Sequence, residues 1–194
     1  MPIPQGDILL FGGDMCGPGK LYEIERFGDW LRSLPHPHKV VIAGNHDWPF
    51  ELAPNKALSA LGEDIIYLQD EAVEIEGLKI YGSPWQPEFF NWAFNLKRGE
   101  RLKAAWSQIP EDVDILITHG PPHGTLDKTD DGRLVGCEQL AARIPQLTKL
   151  KSHVFGHIHE AYGRKEKDGC IFLNASICDR AQRKAVNPPW LLEL

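Results

Sequence analysis

Four short apolar runs, Ile8 to Phe11, Val40 to Ala43, Ile115 to Thr118 and Val154-Phe155, each end at a polar turn that contains glycine. Runs of this length, rich in branched and aromatic residues and bounded by turn formers, read as strands buried on both faces. The turns that stop them are Gly12-Gly13-Asp14, Gly44-Asn45-His46-Asp47, His119-Gly120-Pro121-Pro122 and Gly156-His157-Ile158-His159. Between the strands, Leu21, Ile24, Phe27, Leu31 and Leu34 recur at helical spacing and predict a helix over 21–34; Gly136 to Ile144 predicts another. Alternating strands and helices imply an α/β architecture whose ligands collect where the strands end. Further strands are expected at Ala72 to Ile75, Leu78 to Tyr81 and Ile171 to Asn174, with Glu76-Gly77 as a tight turn, and they suggest a second sheet beside the first. No repeat, low-complexity tract or long linker interrupts the chain, so residues 1–194 are expected to form one domain.

Of eight histidines, four (His46, His119, His157 and His159) follow these strands directly, together with Asp14, Asn45 and Asp47. Taken singly, a histidine after a strand is a turn or core residue, and Asn45 alone would read as a left-handed turn position. Four such turns at one sheet edge point instead to a metal site. Imidazole, carboxylate and amide oxygen make a mixed nitrogen and oxygen donor set that suits Mn, Fe, Zn or Mg without choosing among them. Such ions neutralise phosphate oxygens and supply hydroxide near neutral pH, which is what hydrolysis of a phosphate ester requires. In a site with two ions a shared carboxylate holds them about 3.5–4 Å apart. Asp14, flanked by glycine, is the expected bridge.

Composition narrows the partners. A formal charge of −6 argues against a broad basic surface for long nucleic acids but leaves a small anion bound through metal fully allowed. The four cysteines, Cys16, Cys137, Cys170 and Cys178, form no C-x-x-C pair, which suits a reduced, cytoplasmic protein. The stretch Met1 to Asp7 lacks the basic segment and apolar core of a signal peptide, and no apolar run approaches the length of a membrane span, so a soluble, unexported protein is expected. A chain of this length buries roughly 70% of its unfolded surface, so a metal is expected to serve function rather than hold the core.

The strings Gly13-Asp14, Gly44-Asn45-His46-Asp47, His119-Gly120 and Gly156-His157-Ile158-His159 together resemble the calcineurin-like metallophosphoesterase superfamily. Gly82-Ser83-Pro84-Trp85-Gln86-Pro87, Phe90-Asn91-Trp92-Ala93-Phe94-Asn95-Leu96, Thr118-His119-Gly120-Pro121-Pro122, Gly136-Cys137 and Asn174-Ala175-Ser176 resemble the subgroup of brain metallophosphoesterase-domain proteins. The likeness runs from Gly6 onward. It implies a sandwich of two mixed sheets flanked by helices, one or two divalent ions, and a phosphodiesterase activity. It also implies that Asp14 bridges two ions, that Asn45, His119 and His157 complete one site, and that His159 serves the other. His46 would be the acid that protonates the leaving group, with Asp47 holding its imidazole in the useful tautomer.

The superfamily's opening Asp-x-His motif is not present in this sequence, and Gly6-Asp7-Ile8-Leu9-Leu10 corresponds to the second strand of the family pattern. Three explanations stand open: a natural truncation with one tight site, a misassigned start, or a strand supplied by another segment or subunit. An uncovered strand edge calls for compensation, and dimerisation is one form of it. His36 and His38 precede the strand at Val40 and are expected about 16 Å from the ligand edge. His153 is read with them as a loop or surface residue, and Cys16 as packing behind the site.

For the substrate, the stretch Trp85 to Trp92 offers a wall on which a nucleoside base could stack, with core packing as the competing role. Trp85, His123 and Asn174 are the residues placed nearest such a substrate. A small phosphodiester, such as a cyclic nucleotide, is the expected substrate class. A metal or nucleotide binder without catalysis is the alternative, and retention of His46 and Asp47 argues against it. A nuclease acting on long RNA or DNA is disfavoured by the acidic charge.

Overall fold

The computed structural model describes residues 2–179 and 184–194. Along the chain run β1 (Ile8–Phe11), α1 (Leu21–Arg32), β2 (His38–Val41), α2 (Trp48–Leu52), α3 (Pro54–Leu61) and β3 (Ile66–Tyr67). They are followed by β4 (Glu71–Ile75), β5 (Leu78–Ser83), β6 (Gln86–Pro87), β7 (Asn95–Leu96), α4 (Glu100–Trp106) and β8 (Ile115–Thr118). The last elements are α5 (Glu138–Arg143), β9 (Ser152–Phe155), β10 (Gly163–Lys167) and β11 (Cys170–Asn174). Among the described residues no helix is long and apolar enough to cross a membrane.

Two sheets face each other. β1, β2 and β3 form a parallel sheet of three strands, and β10-β11-β9-β8-β5-β4 form a mixed sheet of six. The four apolar runs are therefore divided between sheets rather than gathered in one. Alternation along β2 and just beyond it shows how the sandwich is packed. Val40 and Ile42 face inward with Ile80, Ile115 and Ile117, while Val41 and Ala43 face the helices with Ile24, Leu31, Phe50 and Leu61. On the far side Tyr81 and Leu116 of the large sheet pack against Leu102 and Trp106 of α4 and Leu140 of α5. The order of layers is helix, sheet, sheet, helix, as expected.

Boundaries moved by a residue or two for local reasons. The helix expected to reach Leu34 stops at Arg32, where Ser33 N–H donates to Asp29 O and Trp30 O. Leu34 precedes Pro35, and the proline ring drives its neighbour out of the helical region. β9 begins at Ser152 rather than Val154, which changes the meaning of His153. It is not a surface histidine: it is wholly buried in the sheet, its Nε2 2.8 Å from Thr118 Oγ1, which in turn donates to Gly120 O at 2.7 Å. His36 is likewise buried, its ring bonded to Pro4 O at 2.9 Å, although it does lie at the end of β2 away from the site.

Among the described residues β1 pairs with β2 alone, so one edge of it is open. A groove of about 1010 Å³ runs beside it, walled by Leu9 and Phe11 on one side and by Val154 and Leu173 on the other. The C-terminal segment Pro189–Leu194 lines the same groove. Trp190 anchors that segment by stacking on Tyr162 at 5.0 Å and donating from Nε1 to Asn174 O at 3.2 Å. The groove leads to Asp14, His157 and His159.

Candidate metal centre

The site lies where β1, β2, β8 and β9 end, and it is built by bonding their turns to one another. Asp47, wholly buried, is the staple. Its Oδ2 accepts from the backbone N–H of Gly44 (2.7 Å), Asp14 (2.9 Å) and Met15 (3.2 Å), and its Oδ1 from Cys16 N–H (2.9 Å). Asp14 Oδ1 in turn accepts His46 N–H at 3.0 Å. Room for this comes from glycine. A Cβ on Gly44 would fall on Asp14 Oδ1 and within 2.5 Å of His119 Cε1, and Gly13 holds φ 97° where a Cβ would press on His119 Nδ1.

Asp14, His119 and His157 present ligand atoms that all lie within 4.8 Å of one another. Asn45 Oδ1 sits between the two rings, 2.8 Å from His119 Nε2 and 2.8 Å from His157 Nδ1. Asp14 Oδ1 is 3.5 Å from the same His119 Nε2. The opposite nitrogen of His119, Nδ1, lies 2.9 Å from Gly12 O, and a carbonyl only accepts, so that nitrogen carries a proton. In a neutral ring Nε2 is then a bare lone pair aimed at an amide oxygen and a carboxylate. Such a convergence is relieved by a cation, by a second proton or by an inverted amide; a divalent ion relieves all three contacts at once.

The electrostatics agree. Burial, and next the neighbouring His119, push His157 down to about 3, so its ring is neutral, as a ligand must be. Burial raises the Asp14 carboxyl, but His119, the His46 N–H and the nearby rings of His46 and His157 outweigh it and hold it below the usual carboxylate range. His159 stands outside the group of three. Its Nδ1 is buried without a hydrogen-bond partner, and burial lowers its pKa while the Asp14 charge pulls the other way.

The expected partnership of His46 with Asp47 is not what the structure contains. All four hydrogen bonds to Asp47 come from backbone N–H groups, and the His46 Nδ1 lies 2.7 Å from Gly17 O instead. Gly17 O therefore fixes the tautomer and leaves Nε2 free to meet a ligand. Burial, then the Asp14 charge, lifts Asp47 to about 6, against the pull of its N–H donors. Cys16 is packed behind this loop, its thiol pushed up by burial and by Asp47.

The three residues placed nearest a substrate fare differently. Trp85 is engaged in packing: its Nε1 donates to Asp70 Oδ2 at 2.7 Å and its ring meets Phe94 edge-on at 5.6 Å. Asn174 is wholly buried, donating to Leu126 O (3.1 Å) and Ile158 O (2.8 Å) and accepting Ser176 N–H (3.1 Å), so it fastens loops rather than meeting substrate. His123 is exposed on the loop after β8. The groups missing from the sequence reading are the carbonyls of Gly12 and Gly17, which no residue type announces; of the aromatic stretch Trp85 to Trp92, it is Trp92 whose ring centroid lies 4.4 Å from that of His46.

Residues 2–161 match the family model for calcineurin-like phosphoesterases. The chain belongs to that family. This calcineurin-like chain is 41% identical over 215 residues to metallophosphoesterase domain-containing protein 1 of Homo sapiens, a match covering 99% of this chain and 66% of that protein. The Mus musculus protein of the same name matches equally, and a UPF0046 protein of Caenorhabditis elegans is 40% identical over 205 residues, covering 96% of this chain and 72% of that one. The chain thus spans 66% of the length of its human relative. A solved structure only 18% identical superposes with a TM-score of 0.63 over 80% of this chain and 63% of that one, a likeness of fold.

Proposed function

We propose that this calcineurin-like chain is a metal-dependent phosphodiesterase acting on small diesters, cyclic nucleotides among them. The observation that carries the reading is the convergence of Asp14, Asn45, His119 and His157: the ligand atoms of Asp14, His119 and His157 lie within 4.8 Å of one another, and Asn45 Oδ1 is 2.8 Å from both imidazoles. A bound divalent ion, with Mn as the first choice for test, supplies positive charge against the phosphate oxygens and lowers the pKa of water. His159, with its orphaned buried Nδ1 near Asp14, is the protein's own offer of a ligand to a second ion.

The protein's groups then divide the work. Asp14, Asn45, His119 and His157 would hold the cation; His46, doubly protonated with its Nδ1–H on Gly17 O, presents Nε2–H to the leaving oxygen and protonates it as the P–O bond breaks. Asp47 keeps the two ligand turns in register. The net charge of −6 supports a small substrate over long RNA or DNA, and cysteines that are all free thiols support a reduced, cytoplasmic setting. A second reading, a metal or nucleotide binder without turnover, is favoured by the compactness of the Asp14, His119 and His157 group, from which His159 stands apart.

The deciding experiment is hydrolysis of bis(p-nitrophenyl) phosphate by metal-stripped protein to which Mn is returned across a concentration series. Turnover that rises with Mn occupancy supports the phosphodiesterase. Binding of Mn without turnover rejects it in favour of the binder.

A further inference from the structure

The loop 88–94 joins β6 to β7 beside the metal centre, where Ala93 N–H donates to Asn45 O at 3.1 Å. It is firmly held. Asn95 accepts Phe89 N–H at 3.3 Å and donates to Phe90 O at 3.0 Å, and Phe94 N–H donates to Glu51 Oε2 at 2.9 Å. Phe90 and Phe94 hold φ of 49° and 57°, conformations that bulky side chains adopt only where their surroundings impose them.

What this rigid loop presents is aromatic surface. Phe89 and Phe90 are 54% and 78% exposed and meet edge-on at 4.4 Å. Trp92 is half-buried, with its ring centroid 4.4 Å from that of His46 at an interplanar angle of 47°. Exposed apolar rings on an ordered loop at the edge of a polar site are the usual mark of a ligand surface. Trp85, earlier in the same aromatic stretch, has its N–H committed to Asp70 and its ring packed against Phe94.

We propose that Trp92 is the platform for the leaving group of the diester, and that the substrate class is therefore a diester whose leaving group carries a flat ring. This rests on the phosphodiesterase reading given above. His46 Nδ1 is tied to Gly17 O, so Nε2 is the nitrogen that meets the leaving oxygen, and whatever that oxygen carries lies beside the Trp92 indole. In the reaction water adds to phosphorus, the P–O bond to the leaving group breaks, and the leaving oxygen takes the proton from Nε2 of His46 in its doubly protonated form; the proton given up by the attacking water returns the ring to that form. The products are a phosphate monoester and a hydroxylic ring compound, joined in one molecule where the diester is cyclic. Stacking on indole selects flatness rather than the identity of the ring.

The test compares methyl phenyl phosphate with methyl hexafluoroisopropyl phosphate, whose leaving groups are of comparable acidity but of which only one is flat. Both are assayed with the full chain loaded with Mn, as wild type, Trp92→Ala and Trp92→Phe. The expected result is a loss of about tenfold or more in kcat/KM on the phenyl ester for Trp92→Ala. Activity on the fluoroalkyl ester falls by much less, through the lost contact of Trp92 with His46, and Trp92→Phe restores most of the preference. Equal losses on both esters, or no loss on either, overturn the platform while leaving the phosphodiesterase intact. If the wild type binds Mn but turns over neither ester, the phosphodiesterase reading itself fails and the platform with it.

Discussion

His46 and Asp47 are neighbours in sequence with different partners, and the difference is measurable. His46 touches the metal turn only through its N–H to Asp14, while its ring rests on Gly17 O and Trp92. His46→Ala is expected to lower kcat by about 10²- to 10⁴-fold with Mn affinity retained. Titration calorimetry showing an empty site in that variant would make His46 a ligand instead of the acid. Asp47 accepts four backbone N–H groups with no side-chain donor among them. Asp47→Asn offers one oxygen and turns an amide NH₂ toward donors, so urea unfolding is expected to show a loss of about 2–4 kcal/mol. Stability equal to wild type would mean the turns hold without the staple. The sequence made both residues conspicuous and could not separate them, because which group a side chain meets depends on Cys16 and Gly17 arriving from a different turn.

At the scale of elements, the ligand turns are short because glycine lets them approach. Gly44 lies against Asp14 and His119 so closely that any added carbon must displace one of them. Gly44→Ala is therefore expected to weaken Mn binding by about tenfold or more, as displaced ligand geometry does, while far-UV circular dichroism stays that of the wild type. Unchanged Mn affinity would show that the turns yield without harm. Most strands and the first helix were legible from periodicity alone, since β1 and β8 begin and end where the apolar runs do. The ends of α1 and β9 were not, because a cap at Ser33 and pairing of Ser152 with β8 and β11 set them. The two-residue strands β3, β6 and β7 carry no periodicity to read.

For the whole molecule, the sandwich buries groups that its surface would have left in water, and its stability then depends on pH. His153 lies fully within the large sheet, with burial pushing it from an ordinary 6.5 down to about 3. Between those values the unfolded chain binds a proton that the native protein does not, so stability is fully present above about pH 6.5 and is lost as pH falls. From pH 7.5 to 5 this residue accounts for about 2 kcal/mol. His153→Gln, which keeps a donor for Thr118, is expected to remove that portion of the pH dependence in paired urea titrations. Parallel curves for the two proteins would show that His153 does not titrate on unfolding.

The sequence by itself singled out the candidate metal ligands, because strand ends followed by glycine and a short polar side chain are a local signal. It also determined the α/β pattern, since alternation and helical spacing are properties of neighbouring residues. Only the tertiary structure decided that the four turns come from two sheets, that Asp47 serves the backbone while Gly17 O orients His46, and that Trp92 rather than Trp85 stands beside His46. Each of those depends on contacts between segments distant along the chain, and on backbone carbonyls and N–H groups that every residue shares and no sequence pattern distinguishes.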